Sequence, residues 1–263
     1  DHNWHRGGYG VINTTQILMY SSNIGVSRLV DENYHKNPEK FVEGLYKLGL
    51  ATPLNLDIPG AAKKPNIRKP NKDNWSKTAL AWMSIGYETQ VPPMNTLAFY
   101  NAIANNGKMV KPRFVKSIMK DGEVVEDIPV EVLNPAIASP KTIEQIQTIL
   151  EKVVSEGLGK RAGSSQFHVS GKTGTAQVSQ GKGGYKSGIM HYLVSFCGYF
   201  PSEAPKYSCI VAIQKSGLPA SGGQMAGSVF SEIAERVFAK HLAKDLKEAK
   251  DSTSILTPDV KHG

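Results

Sequence analysis

The chain has no run of about 18 apolar residues, so no segment of it is built to cross a bilayer as a helix. Its opening, Asp1-His2-Asn3-Trp4-His5, lacks the basic and then apolar pattern of a signal peptide, and any targeting or anchoring segment is expected outside these residues. Cysteine is scarce: Cys197 and Cys209 are too few for a disulfide framework and lack zinc-site spacing. His2 and His5 stand three apart without a carboxylate or cysteine set beside them, so ordinary polar histidines are expected, with no metal and no cofactor. Acidic residues are the minority, 23 against 31 Lys plus Arg, and the formal charge of +8 suits an anionic partner without choosing among nucleic acid, lipid headgroups and a carboxylate-bearing polymer. No nucleic-acid recognition motif accompanies that charge, so no nucleic-acid partner is expected. What is present, 40% hydrophobic and 21% charged over 263 residues, suits one large globular domain with or without an appendage.

Thr14 or Thr15 is placed to cap a short helix carrying Ile17, Leu18 and Tyr20, and Ser21-Ser22-Asn23 interrupts it. A helix then resumes from Gly25 to about Asn33 with Val26, Leu29 and Val30 inward. Asn37-Pro38 supplies a cap and a first-position proline for a third helix with Phe41, Leu45 and Leu48, stopped at Gly49. Between 51 and 77 the pattern dissolves into Pro53, Pro59, Gly60, Pro65 and Pro70 with Lys63, Lys64, Arg68, Lys69 and Lys72, which reads as a long surface loop whose basic run is a solvated face. Trp75 to Ile85 reads as buried through Ala79, Leu80, Trp82 and Met83, and a helix through Leu97, Tyr100 and Ile103 ends at Asn105-Asn106-Gly107.

Residues 113–119 alternate as a strand, Asp121-Gly122 is a two-residue hairpin turn, and Glu123 to Glu126 returns. Ser139-Pro140 opens a periodic helix with Ile143, Ile146, Leu150 and Val153 on one face, closed at Gly157. Strands follow at 167–178, 191–200 and 207–214, the first two separated by a glycine-rich loop at 181–188. The last pair forms a hairpin with Cys197 and Cys209 symmetric about residue 203; two buried free thiols are expected, with a cross-strand disulfide as the alternative. Gly222-Gly223 precedes a helix with Phe230, Ile233, Val237 and Phe238 inward, running into the charged stretch Lys244 to Lys250. Helices early and strands late predict an α+β fold, an antiparallel sheet with helices packed on it.

Two stretches carry chemistry. Ser170-Gly171-Lys172-Thr173-Gly174-Thr175-Ala176-Gln177 sets a lysine among small residues on an extended run, the pattern of an edge strand that brings an ammonium beside a substrate backbone. Ser21-Ser22-Asn23 alone reads as a helix cap. Gly171-Lys172-Thr173 touches the phosphate-loop pattern as well, but position 166 is Gln where glycine is needed and the triplet lies within a strand.

Read together with Gly86-Tyr87, Val91-Pro92-Pro93, Ala104-Asn105-Asn106-Gly107, Val110-Lys111-Pro112 and Gly198-Tyr199-Phe200-Pro201 in this order, the two stretches resemble the transpeptidase domain of a class B penicillin-binding protein, with Ser21-Ser22-Asn23 as its second motif and Lys172-Thr173-Gly174 as its third. Asn at the end of one and Thr within the other resemble the cell-division, septal branch. The resemblance implies a helical subdomain beside the sheet, with helices on both of its faces, and a peptidoglycan D,D-transpeptidase acting through an acyl-enzyme. In it Ser21 relays a proton, Asn23 donates to the substrate carbonyl, and Lys172 supplies positive potential. Thr173, Gly174 and Thr175 bind the D-Ala-D-Ala end of a stem peptide, or a β-lactam that mimics it. It further implies division-complex partners and a location on the extracytoplasmic face of the bacterial inner membrane, with an anchor outside this chain.

The first motif, Ser-x-x-Lys, carries that family's nucleophile and belongs upstream of Ser21, yet none of residues 1–20 is a serine. Ser117-Ile118-Met119-Lys120 and Ser179-Gln180-Gly181-Lys182 match the spacing by chance, one on a predicted strand and one in a loop, where the lysine is not one helical turn from the serine. The expectation is a domain truncated at its N-terminus over residues 1–247, a linker or tail at 248–263, and an inactive fragment. A β-lactamase would need a deacylating base, and Glu131-Val132-Leu133-Asn134 resembles such a loop only superficially. Thr257-Pro258-Asp259-Val260-Lys261 resembles the opening of an appended small domain. A non-catalytic scaffold or ligand-binding module of the same fold is the alternative reading.

Overall fold

A computed structural model of the chain describes residues 7–254 other than 57, 59–63, 72, 74 and 180–188. Its first helix, α1 (Thr14–Met19), is opened by Asn13 instead of by either threonine: the Asn13 side chain accepts the Gln16 N–H at 2.9 Å and the Gln16 side chain accepts the Asn13 N–H at 3.0 Å. This reciprocal cap satisfies two donors that a threonine one residue later would leave open. Ser21 then turns the chain with φ 50°, and Ser22 caps α2 (Asn23–Tyr34) by accepting the Gly25 N–H at 3.1 Å. Helix α2 thus begins two residues before Gly25, and none of its residues is fully buried; Leu29, expected inward, is exposed beside an open cleft. Gly25 lets α1 and α2 touch, since a Cβ there would lie 2.8 Å from Ile17 Cγ1. In α3 (Pro38–Lys47) the first-turn proline is present, Asn37 makes no side-chain cap bond, and Val42 takes the buried position.

The stretch expected to be a surface loop is pinned twice. Leu54 and Ile67 are buried, and Ile67 lies in β1 (Asn66–Ile67), which pairs with β2 (Thr89–Gln90); Pro59, Gly60, Lys63 and Lys72 of the same stretch lie outside the described residues. Between β1 and β2, α4 (Ala79–Ser84) buries Ala79, Leu80 and Met83 but leaves Trp82 46% exposed, correcting the reading of Trp82 as core. Helix α5 (Pro93–Ala104) anchors the loop from the other side: its buried Asn95 donates from Nδ2 to the Thr52 carbonyl at 2.7 Å, which satisfies a polar group that would be costly unpaired. Next come β3 (Met109–Val110), paired with β6 (Val132–Asn134), and the hairpin β4 (Ser117–Lys120) and β5 (Glu123–Asp127). Asp121 (φ 54°) and Gly122 (φ 87°) make its turn as expected, although pairing begins at Ser117.

Ser139 caps α6 (Pro140–Ser155), whose Ile143, Leu150, Val153 and Val154 are buried. Three antiparallel strands then form the principal sheet in the order β7 (Ser170–Val178), β8 (His191–Phe200), β9 (Tyr207–Ser216). A π turn at 222–226 leads into α7 (Gly227–Ser254). Phe196 and Phe200 on one sheet face meet Phe230 of α7, with ring centroids 4.7 and 5.8 Å away. Tyr199 on the other face joins the core of α5 and α6 with Ala102, Ile103 and Leu150. Helices on both faces of an antiparallel sheet are the α+β arrangement the sequence predicts. On α7 the inward places belong to Phe230 and Ala234, while Ile233 is exposed.

The register of β8 and β9 decides the cysteines. Gly198 stands opposite Cys209 and Cys197 opposite Ile210, so the two thiols are one residue out of register and project from opposite sides of the sheet. Both are free; Cys197 is buried and Cys209 partly so. The glycine-rich loop at 181–188 and the segment from Thr257 to Lys261 lie outside the described residues.

Candidate active site

Lys172 sits in β7, which pairs with β8 on one side only and leaves its other edge open. Its ammonium donates to Ser21 Oγ at 2.9 Å across 151 positions of sequence, and to the Thr173 carbonyl and hydroxyl, each at 3.2 Å. Burial, with no carboxylate paired to it among the described residues, disfavours the charged form and brings Lys172 down from 10.5 to about 8. A lysine so placed gives up its proton nearer neutral pH than a free one does, and Ser21 Oγ is the group across the cleft to which it donates. Ser21 itself holds a left-handed backbone, a conformation that costs a non-glycine residue about 1–2 kcal/mol, while its hydroxyl meets Lys172.

Ser21, Asn23, Thr173 and Thr175 line one cleft of about 1700 Å³. Asn23, the first residue of α2, is exposed in that cleft, and its side chain has no hydrogen-bond partner among the described residues. The Gln177 N–H points across the open edge to the Tyr87 hydroxyl at 3.3 Å. Because N–H groups alternate along a strand, those of Thr173 and Thr175 face the same way, into the cleft. Thr175 Oγ1 is already engaged, accepting the Gly222 N–H at 3.0 Å, which ties the π turn to the motif strand. Such a groove can hold an extended acyl compound, with donors at its carbonyl and a titratable lysine–serine pair behind them.

The glycines of the motif have a different reason from the one the sequence suggests. A Cβ on Gly171 would lie 2.5 Å from the Phe196 ring, and one on Gly174 would lie 2.5 Å from Ser195 Oγ. The Gly174 carbonyl in turn lies 2.2 Å from where a Gly222 Cβ would be. They admit the neighbouring strand and the π turn, and Gly174 faces that packing instead of the cleft. Sequence reasoning also missed the aromatic lining. Trp82 meets Tyr87 edge-on with centroids 5.2 Å apart and an 89° interplanar angle, and Tyr9 stacks on Tyr20 at 4.9 Å. Gly86-Tyr87 stood out only as a segment in a series. Of the two chance serine–lysine strings, Ser117 to Lys120 lies on β4, while 180–182 of the other, like His2 and His5, falls outside the described residues.

A sheet with helices on both faces, and a cleft where its open edge meets a helix corner, place the chain in the α+β class with a candidate site at a sheet edge. The chain belongs to the penicillin-binding protein transpeptidase domain family, whose model matches residues 1–235. It is 30% identical over 239 residues to penicillin-binding protein PbpB of Mycolicibacterium smegmatis, covering 87% of this chain and 35% of that protein. It is 31% identical over 225 residues to the probable peptidoglycan D,D-transpeptidase PbpC of Pseudomonas aeruginosa, covering 85% and 36%. Among solved structures, penicillin-binding protein 3 of Mycobacterium tuberculosis complexed with aztreonam superposes with a TM-score of 0.76 at 27% identity, covering 92% of this chain and 54% of that one. The transpeptidase domain of Burkholderia pseudomallei penicillin-binding protein 3 gives 0.68 at 28% identity, covering 89% and 66%. The chain thus spans about a third of the length of the curated relatives it matches.

Proposed function

We propose that this chain is the greater part of a peptidoglycan D,D-transpeptidase domain of the cell-division branch, and that it binds the D-Ala-D-Ala end of a stem peptide, or a β-lactam, in the cleft beside β7. The observation that carries the reading is the 2.9 Å bond from the Lys172 ammonium to Ser21 Oγ at the open strand edge. In the complete enzyme a serine hydroxyl attacks the penultimate D-Ala carbonyl, the terminal D-Ala leaves as an amine, and an amine of a neighbouring stem peptide resolves the ester. Ser21 and Lys172 pass the proton from nucleophile to leaving group. Asn23 donates to the substrate amide, and the Thr173 and Thr175 hydroxyls face the terminal carboxylate. The Thr175 N–H is one of two oxyanion donors, each of a kind worth about 2.7–4 kcal/mol in other acyl-transfer enzymes.

That the nucleophile lies outside these residues is supported by two observations: no serine occurs within residues 1–20, and the Ser117 string lies on a strand. On this reading the chain alone binds without acylating. No described helix is long and apolar enough to cross a membrane, and the proposed extracytoplasmic setting relies on an anchor elsewhere. Division-complex proteins are the proposed partners, in keeping with relatives named FtsI. Incubation with a fluorescent penicillin and a denaturing gel tests the account: no covalent band is expected, and a band on this chain would refute the missing nucleophile. The missing serine also favours a second reading, a non-catalytic binding module of the same fold. A Ser-x-x-Lys encoded just upstream of Asp1 supports the enzyme, and its absence supports the module.

A further inference from the structure

The open edge of β7 stops at a tyrosine. The Gln177 N–H, the last outward-facing donor of the strand that lines the cleft, is taken by the Tyr87 hydroxyl at 3.3 Å from the opposite wall, 90 positions earlier in the chain. Tyr87 is held there by its surroundings. Trp82 packs edge-on against its ring at 5.2 Å, and its turn bends through two left-handed residues, Gly86 (φ 98°) and Glu88 (φ 60°). Thr89 Oγ1 donates to the Gly86 carbonyl at 2.7 Å, the Arg68 N–H donates to the Glu88 carbonyl at 3.4 Å, and the Arg68 and Glu88 side chains form an ion pair. The hydroxyl therefore arrives on a braced arm.

An extended ligand that adds to a sheet edge bonds at every second residue. Thr173 and Thr175 offer their groups to the cleft, and Gln177 does not. A ligand lying antiparallel to β7 with its carboxylate beside Thr173 sends its N-terminal part toward Gln177, where Tyr87 blocks further pairing. The wall that carries Tyr87 offers apolar surface: Trp82, which packs on Tyr87, and Leu29, 46% and 40% exposed, line the same cleft.

We propose that Tyr87 is a specificity-determining residue that caps the edge of β7, so that an acyl donor pairs with the strand only over Thr173 to Ala176 and the part of it preceding the penultimate residue turns off the strand onto Trp82 and Leu29. This rests on the transpeptidase reading above. Tyr87→Phe keeps the ring and its contact with Trp82 and removes only the hydroxyl. Two peptides separate the effects: diacetyl-Lys-D-Ala-D-Ala has an acetyl carbonyl that reaches the position of the Gln177 N–H, and acetyl-D-Ala-D-Ala does not. By calorimetry Tyr87→Phe tightens the longer peptide about fivefold, the worth of one hydrogen bond, and leaves the shorter unchanged. Amide exchange followed by NMR reads the cap without ligand: Gln177 exchanges more slowly than Thr175 in the native chain and as fast as Thr175 in Tyr87→Phe. Equal exchange of the two amides in the native chain, or an equal change for both peptides, overturns the cap. If Gln177 is protected but neither peptide binds either protein, the donor reading of the cleft falls and the specificity role with it, while the cap stands as a structural contact.

Discussion

Replacing Lys172 by methionine keeps the length and most of the volume of the side chain and removes its charge, which makes the cost of burying that charge measurable. In the folded chain Lys172 titrates at about 8 against 10.5 when free. Below pH 8 folded and unfolded chains both hold the proton, and the folded chain bears the full penalty. Between pH 8 and 10.5 the unfolded chain keeps a proton that the folded chain has released, so the native protein gains stability as pH rises, by about 2.5 kcal/mol between pH 7 and pH 10. Lys172→Met lacks this gain. Other lysines and tyrosines titrate in both proteins and cancel in the difference. Urea unfolding of the two proteins at half-unit steps from pH 7 to pH 10 is therefore expected to show the native chain rising relative to the variant by roughly that amount, with the steepest change above pH 8. A difference that stays flat across the range refutes the buried, unpaired ammonium. The same figure bears on the proposed proton relay of the complete enzyme, since at pH 7.5 a lysine titrating at 8 is neutral in about a quarter of molecules, against about one in a thousand at its ordinary value.

Ser21 separates backbone strain from hydrogen bonding. Ser21→Ala loses the bond to Lys172 and keeps the left-handed backbone, whereas Ser21→Gly loses the bond and relaxes the backbone, so in thermal or urea melts the glycine variant is expected to be the more stable by about 1 kcal/mol. A stability order reversed between the two contradicts the strain at this corner. Gly222→Ala forces a Cβ to within 2.2 Å of the Gly174 carbonyl and 2.5 Å of the Ser195 carbonyl and is expected to cost about 3 kcal/mol; Gly44→Ala, with open space in the middle of α3, is expected to stabilise by about 0.5–1 kcal/mol. Similar melting temperatures for these two variants would show that the contact of the π turn with β7 is loose.

The parts of this molecule legible in its sequence are those that local chemistry specifies. Ser139-Pro140, Gly49, Asp121-Gly122 and the largely apolar run of 191–200 each name their own element, and the order of short motifs pointed to the juxtaposition of Ser21 with Lys172. What stayed hidden depends on neighbours distant in the chain. Cys197 and Cys209 are symmetric in sequence, but the ladder pairs residues whose numbers sum to one more than theirs, and a single step of register moves a side chain to the other face. Gly171 and Gly174 look like room for a ligand until Phe196 and Ser195 are seen beside them. Trp82 has the composition of a core residue and lies on a cleft wall. The bond from Gln177 to Tyr87 has no local signal, because a tyrosine after a glycine does not say which strand its hydroxyl will reach.

The bond between Ser21 and Lys172 joins positions 151 apart, and Gly222 must then arrive to fix Thr175 from a further 47 residues downstream. Loop closure over such distances is slow, and none of its reward comes before both ends are present. While the chain is being made, the helical wall has to persist without its partner strand, and the cleft takes shape only after the ribosome has released nearly everything up to the start of the last helix. A copy cut short before residue 222 would carry both motifs and still have no groove held in form between them.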